Sequence, residues 1–484
     1  MKKEQNGYIT LYLSLTLGIM LTFTFLLLEA VREETIRMET ESVMDIGLYS
    51  IFGEFHRELL EQYDLFFIDT SYGEGRPHIS RCEEHLQFYM NANFRKKWID
   101  NWLETGDLTK LCCDNVELEC YMYASDMDGQ VLKAQIVDYM QDKMGIGTVE
   151  KIWSQSRDLK EQYVSMDITG KWDAADNYLN ELVSEKRKEI LSENPEAEIP
   201  ENLDNPASKV KEIRTQGILS LALPTGKEIS AMEVQLQNYI SHRTVSQGRG
   251  VLKTEETLLD QVTGDYLLRE YFMEKCSSYY RSKEKSVLKY QIEYLLFGDS
   301  VDLDNLEATV EKILHIREAV NFAYLISDAK KMNEAENLAL LVSLLLFSPE
   351  IKEAVKATIV FAWCYAESVK DVRILLDGNK LPMLKNEKTW NTPLSKLLMF
   401  PSFLEEYAIG TEGISYEDYL RFFLTMKSET EILYRFMDLC EMDIRATDGN
   451  SYFQMDGCIS AVKARVNVSS NQKGYEITRT YSYK

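Results

Sequence analysis

The sequence predicts an α+β protein with an N-terminal transmembrane helix that continues as an amphipathic stem. An antiparallel sheet is built from N- and C-terminal strands, and the large middle region is mostly helical. Three observations predict this: an uncharged apolar run near the N-terminus, alternating apolar and polar residues towards both ends, and helical periodicity between them.

Tyr8 to Leu28 is a run of 21 residues without a charge. At helical rise it spans about 31 Å, the thickness of a bilayer hydrocarbon core. A cleavable signal has a shorter apolar region and small residues at the cut. Here the exit reads Leu28-Glu29-Ala30-Val31, so the segment is read as retained. Lys2 and Lys3 precede the span, while Glu29, Arg32, Glu33 and Glu34 follow it. Residues 1–7 are therefore expected in the cytoplasm, and the body outside a single-pass cell-membrane anchor. Asn337 to Phe347 is apolar but only 11 residues long, and is followed by Ser348-Pro349-Glu350. That predicts a buried core helix rather than a second span.

Thr10, Ser14 and Gly18 recur every fourth residue, a small-residue stripe that lets membrane helices approach closely. Anchors also carry such residues by chance. Glu29 is either an interface residue, three positions from Arg32 and able to pair with it, or an assembly determinant. These four residues are the candidate set for helix packing and assembly.

Met44, Leu48, Ile51, Phe55 and Leu59 form one helical stripe, which predicts a stem over 29–63 that Gly47 and Gly53 bend or loosen. Region 64–124 should hold strands. Asp64 to Asp69 is a short apolar run closed by Tyr72-Gly73-Glu74-Gly75, and Val116, Leu118, Cys120, Met122 and Ala124 alternate with polar or tyrosine residues. At the other end Val462, Ala464, Val466 and Val468 alternate with Lys463, Arg465 and Asn467. A turn then leads into Tyr475, Ile477, Arg479, Tyr481 and Tyr483. This predicts a β-hairpin over 460–484 with Arg479 the one charge on its aromatic face. Two strands alone are marginal, so the hairpin should join the earlier strands in one sheet.

Region 125–459 reads as mostly helical, in Ser125–Met144, Ser156–Asn194, Thr254–Phe297 and Leu303–Glu367. The charged, proline-containing stretch 185–211 predicts a loop or frayed helix end near a domain seam. Val355 to Ala366 is apolar almost all round, as in a helix buried on several sides.

A net charge of -24 argues against nucleic-acid binding, which needs basic patches. The eight cysteines are too sparse for a disulfide scaffold and lack zinc spacing, so most should be buried small hydrophobes, with Cys120 in the core. The five histidines fit no metal pattern. No G-x-S-x-G elbow occurs, Gly226-Lys227 lacks the rest of a phosphate loop, and Ser282-x-x-Lys285 stands without its companion motifs. Asp126-x-Asp128-Gly129 would need acids at Ala124 and Gln135 to be a calcium loop, so a turn before a helix is expected. Nothing supports a catalytic residue, a cofactor or a metal, and the chain is read as non-enzymatic.

Gly7 to Leu15 (GYITLYLSL) and Leu27 to Arg32 (LLEAVR) resemble the N-terminus of TadE/TadG-like membrane proteins of Gram-positive tight-adherence (Tad) pilus systems. Tyr63 to Gly73 (YDLFFIDTSYG), Ala362 to Leu376 (AWCYAESVKDVRILL) and the closing hairpin are similar too. The resemblance implies a minor pilin-like or accessory role in a type IV-like pilus or secretion assembly. The implied partners are the membrane and other pilus or inner-complex proteins, in homo- or hetero-oligomers formed through the N-terminal helix. One departure stands out: cleavage after Gly7 would put Tyr12, not the usual Glu, at the fifth mature position. Two other classes remain, an anchored ligand-binding or sensing domain and a cell-surface hydrolase.

Overall fold

The computed structural model describes residues 5–95, 111–144, 166–195, 205–250, 261–344, 351–407, 412–470 and 473–483. Lys2 and Lys3 lie outside them, as do 156–165 and 254–260 of the predicted helices, 196–204 of the charged stretch, and 345–347 of the rejected span. The chain divides into a sheet unit, Met1–Tyr139 with Asn238–Leu259 and Cys440–Lys484, and a helical unit, Met140–Gln237 with Asp260–Leu439.

In the sheet unit, helix α1 (Gln5–Phe52) runs for 48 residues, about 72 Å. Its outer half buries Ile36, Val43, Met44, Leu48, Ile51 and Phe52. These pack with Cys82, Leu86, Met90 and Phe94 of α3 (Ile79–Arg95) and with the inner face of the sheet. The helix runs unbroken through Gly47. An added Cβ there would stand 2.8 Å from Leu86 Cδ1, so glycine permits the close approach of α1 and α3. The stem is shorter than predicted, because Phe55 lies in the link after α1 and Leu59 belongs to α2 (Arg57–Tyr63). His56 caps that second helix, its Nδ1 accepting from the Leu59 amide at 3.2 Å, and Asp64 ends it in the left-handed region at φ 53°.

The sheet is antiparallel, with β3 (Cys458–Ser470) at its centre. Along one side β3 pairs with β2 (Leu111–Tyr123), and along the other with β1 (Ile68–Asp69) and then β4 (Lys473–Ser482). N- and C-terminal strands thus share one sheet, as the alternation predicts. Only Ile68 and Asp69 of the predicted strand at 64–69 pair, since Leu65 and Phe67 are buried by packing outside the ladder. In β2 the register shifts between Leu118, opposite Ala464, and Cys120, opposite Lys463. The extra residue, Glu119, reaches both Lys463 and Arg465. A bulge of this kind reverses which face later residues occupy. It moves Cys120 out of the core to a half-buried position and turns Tyr121 inward. Six of the eight cysteines are buried, and Cys112 is exposed.

Segment 238–250 belongs to the sheet unit rather than the helical one. Arg249 and Tyr121 exchange two backbone hydrogen bonds of 3.0 Å, covering the free edge of β2. Gly248 is required there, since a Cβ would stand 2.4 Å from the Tyr121 carbonyl oxygen. Arg243 reaches Glu441 through two bonds of 2.7 Å and also contacts Asp456. At Asp126–Lys143, Met127, Asp128 and Gly129 form a left-handed turn before the regular helix, as the Asp-x-Asp-Gly pattern predicts.

In the helical unit, the helix Lys352–Leu376 is the hub. It is buried on nearly every face, including the predicted 355–366, and packs against 168–193, 206–214, 302–327 and 329–344. The predicted helix over 254–297 is largely irregular between Lys275 and Gln291. The charged stretch is no seam. Its first part continues the helix to Glu193, and Asn205, Pro206, Ala207 and Val210 are buried. Helix 329–344 buries Ala335, Ala339 and Val342 but leaves Leu340, Leu341 and Leu344 exposed, so the predicted core helix is buried along one side only.

Charged residues also penetrate this core. Lys385 Nζ bonds Glu367 Oε1 at 2.5 Å and Asp371 Oδ1 at 2.6 Å, while Arg317 holds Asp371 Oδ2 at 2.8 and 3.0 Å. Two cations meet two carboxylates, so the buried cluster is neutral. Lys385→Met would leave two carboxylates facing one cation. It should cost about 3–5 kcal/mol, read as a lowered urea midpoint of the full chain. Glu293 is fully buried, with Oε1 accepting from the Tyr416 hydroxyl at 2.8 Å and Oε2 without a partner. Burial pushes its carboxyl from 4.5 up to about 7. A raised folded value means the protonated group's contribution is complete below the unfolded value and is lost as pH rises to about 7. Glu293→Gln should therefore raise the thermal midpoint at pH 8 and leave it nearly unchanged at pH 4, followed by circular dichroism.

Candidate membrane stem and its collar

Residues Tyr8–Leu28 form the lower half of α1, and their large apolar side chains are exposed. Among the described residues this is the one helix long and apolar enough to cross a membrane. Its hydroxyls bond back to the helix. Ser14 Oγ donates to Leu11 O at 2.9 Å, Thr22 Oγ1 to Gly18 O at 2.7 Å and Thr24 Oγ1 to Met20 O at 2.8 Å. Such self-satisfaction is what lipid demands of a polar group. Thr10, Ser14 and Gly18 are all exposed, and a Cβ at Gly18 would meet nothing within 4 Å.

Glu29 has a different setting. Lys473, at the start of β4, donates to Glu29 Oε1 at 3.1 Å and to Glu33 Oε1 at 2.6 Å, and Arg32 lies 3.8 Å from Glu29 Oε2. The predicted Glu29–Arg32 pair is present, but the closer partner comes from the far end of the chain. The lysine holds the Glu33 carboxyl below the usual carboxylate range, and both acids raise the Lys473 ammonium. As pH falls through the lowered Glu33 value, this contact should be lost.

Higher up, Arg479 meets Glu41 Oε2 at 2.9 Å and Asp45 Oδ1 at 3.4 Å. Above it Tyr481 packs edge-on against Tyr49 and Phe52, at 5.1 and 4.6 Å between ring centroids. The Tyr483 hydroxyl donates to Phe52 O at 2.7 Å. From Lys473 to Tyr481 an extended strand covers about 27 Å. From the Glu29–Glu33 turn to the Tyr49–Phe52 turn the helix covers about 29 Å. The inward face of β4 therefore follows α1 from Glu29 to Phe52.

Lys473, Glu33, Glu41 and Asp45 were absent from the candidate set. Their signal lies in two acid pairs at i,i+4 on α1, Glu29 with Glu33 and Glu41 with Asp45. It is matched by the two cations, Lys473 and Arg479, on one face of β4.

Beside the end of α1 lies a polar cleft of about 280 Å³, lined in part by Glu54, His56, Asp69, Tyr72 and Asn450. Glu54 accepts from the Tyr89 hydroxyl at 2.6 Å and the Tyr72 hydroxyl at 3.0 Å, and His85 Nδ1 is 3.0 Å away. His56 Nδ1 is occupied by the Leu59 amide, so its Nε2 carries the proton towards Asn450 Oδ1 at 3.0 Å. Burial pushes the Cys82 thiol up to about 12, and the bond to Glu54 pushes the Tyr89 phenol to about 12. Both keep their protons at neutral pH. The YDLFFIDTSYG stretch lines one side of this cleft with Asp69, Tyr72 and Gly73, and is held by Tyr63 donating to Asp443 of the helix Glu429–Arg445 at 2.6 Å and by Thr70 donating to Gly457 O, just before β3, at 2.7 Å.

Residues 196–470 match the model of a family described as a family of unknown function, DUF5702. The chain belongs to this family. The matched stretch takes in most of the helical unit and β3, and begins after α1, β1 and β2. No curated protein and no solved structure matches the chain. The family description carries no activity and no link to TadE/TadG proteins.

Tyr483→Phe removes one hydrogen bond to the end of α1 and should weaken strand docking by about 1 kcal/mol. The expected readout is faster amide exchange across 474–482, with the β2–β3 ladder unaffected.

Proposed function

We propose that this DUF5702 member is a non-enzymatic, single-pass membrane protein that acts as a minor pilin-like or accessory subunit of a Tad-type pilus or secretion assembly. One observation carries the reading. A single unbroken helix is exposed and apolar over Tyr8–Leu28, yet packs into the core of an antiparallel sheet over Ile36–Phe52. Exposed apolar surface on that scale needs lipid or another helix to cover it. A helix that is anchor at one end and core at the other passes a lateral contact in the membrane directly to the body. The resemblance of residues 7–15 and 27–32 to TadE/TadG-like proteins supports the same role, with the N-terminus cytoplasmic and the body outside.

In this reading Thr10, Ser14 and Gly18 supply the helix-packing stripe, and Glu29, clamped by Lys473, marks the membrane exit.

Gly18→Leu would fill the stripe and should reduce co-purification of partner membrane proteins from mild detergent several-fold, with monomer folding intact. Unchanged association in Gly18→Leu and in Glu29→Ala would refute the proposed contacts. A body protected from protease in wall-stripped cells would refute the topology.

A further inference from the structure

The foot of α1 is more than an ion pair. Glu29, Arg32, Glu33, Ile36, Ser470, Lys473 and Tyr475 enclose a cleft of about 250 Å³. We propose that this cleft binds the headgroup of an amino-phospholipid, its phosphate against Arg32 and Lys473 and its ammonium against Glu29 and Glu33. The proposal rests on the membrane reading above and names the ligand class for that same collar.

Depth is the first argument. Glu29 directly follows Leu28, the last residue of the apolar run, and Glu33 lies one helical turn, about 5–6 Å, further out. The headgroup layer adds about 5–8 Å to each side of the hydrocarbon core, so the cleft opens within that layer.

Charge is the second. Lys473 already bridges Glu29 and Glu33, at 3.1 and 2.6 Å. The Arg32 guanidinium stands 3.8 Å from Glu29, beyond hydrogen-bonding distance, with its planar fork available to phosphate oxygens. Two cations and two carboxylates around one small space complement a headgroup carrying one phosphate and one ammonium. A purely anionic headgroup would set its charge against Glu29 and Glu33, on a chain whose net charge is already -24. A choline headgroup has no N–H to donate to the carboxylates. The preference should therefore run to ethanolamine over both choline and glycerol headgroups.

The test uses the full chain in nanodiscs of equimolar phosphatidylethanolamine, phosphatidylcholine and phosphatidylglycerol, with retained lipid counted by native mass spectrometry. Phosphatidylethanolamine should be enriched about fivefold on the wild-type chain, the ratio that one or two net hydrogen bonds supply. Arg32→Gln, which leaves both Lys473 contacts in place, should abolish most of that enrichment. Glu33→Gln should shift retention towards phosphatidylglycerol. Retention in bulk proportion, or enrichment unchanged in both variants, overturns the proposal. So does displacement of the retained lipid by soluble phosphoethanolamine at matching concentration, which would mark a free-solute site. Failure to insert into the nanodisc would instead sink the anchoring itself, and insertion without enrichment sinks only the headgroup site.

Discussion

The contact between one face of β4 and one side of α1 is the interaction on which the sheet unit depends. A strand advances more than twice as far per residue as a helix, so the 473–481 stretch keeps pace with roughly twenty residues of α1. Polar contacts mark the lower part, where Lys473 meets Glu29 and Glu33, and the middle, where Arg479 meets Glu41 and Asp45. Aromatic packing of Tyr481 and Tyr483 on Phe52 closes the top. The exposed ion pairs contribute little stability singly. Their value is in register, since sliding the strand by one residue would turn both cations to the opposite face.

β3 makes this contact part of a core. It pairs with β2 on one edge and with β1 and β4 on the other, so the last residues of the chain are tied to residues near its start. Its inward valines and Ala464 lie over α1 and α3, where Gly47 lets the two helices come together. The YDLFFIDTSYG stretch, next to α1 in sequence, is held through Thr70 to the residue just before β3.

The helical unit relies on another device. Its hub helix is buried on nearly all sides, yet carries Glu367, Asp371 and Arg373 inside or at the margin of the core. A buried carboxylate is tolerable only with a partner. Lys385 and Arg317 supply those partners, and Arg317 also donates to the carbonyls of Pro382 and Met383 at 3.2 Å. The non-helical segment after the hub is thereby fixed to it without a net buried charge.

Periodicity in the sequence determined the apolar span, the hub helix, the alternation in β2 and β3, and the turn at Asp126–Gly129, because each depends on residues close in the chain. It did not reveal where the stem stops, since Phe55 and Leu59 keep the helical spacing across a break that Gly53 and the His56 cap impose. It misplaced Cys120, because a bulge is set by what Glu119 reaches on the neighbouring strand. Nor did it find Lys473 as the partner of Glu29, a pairing across 444 positions. Contacts of that kind exist only once β3 has brought the last strand beside the first helix, so the tertiary structure alone decided them.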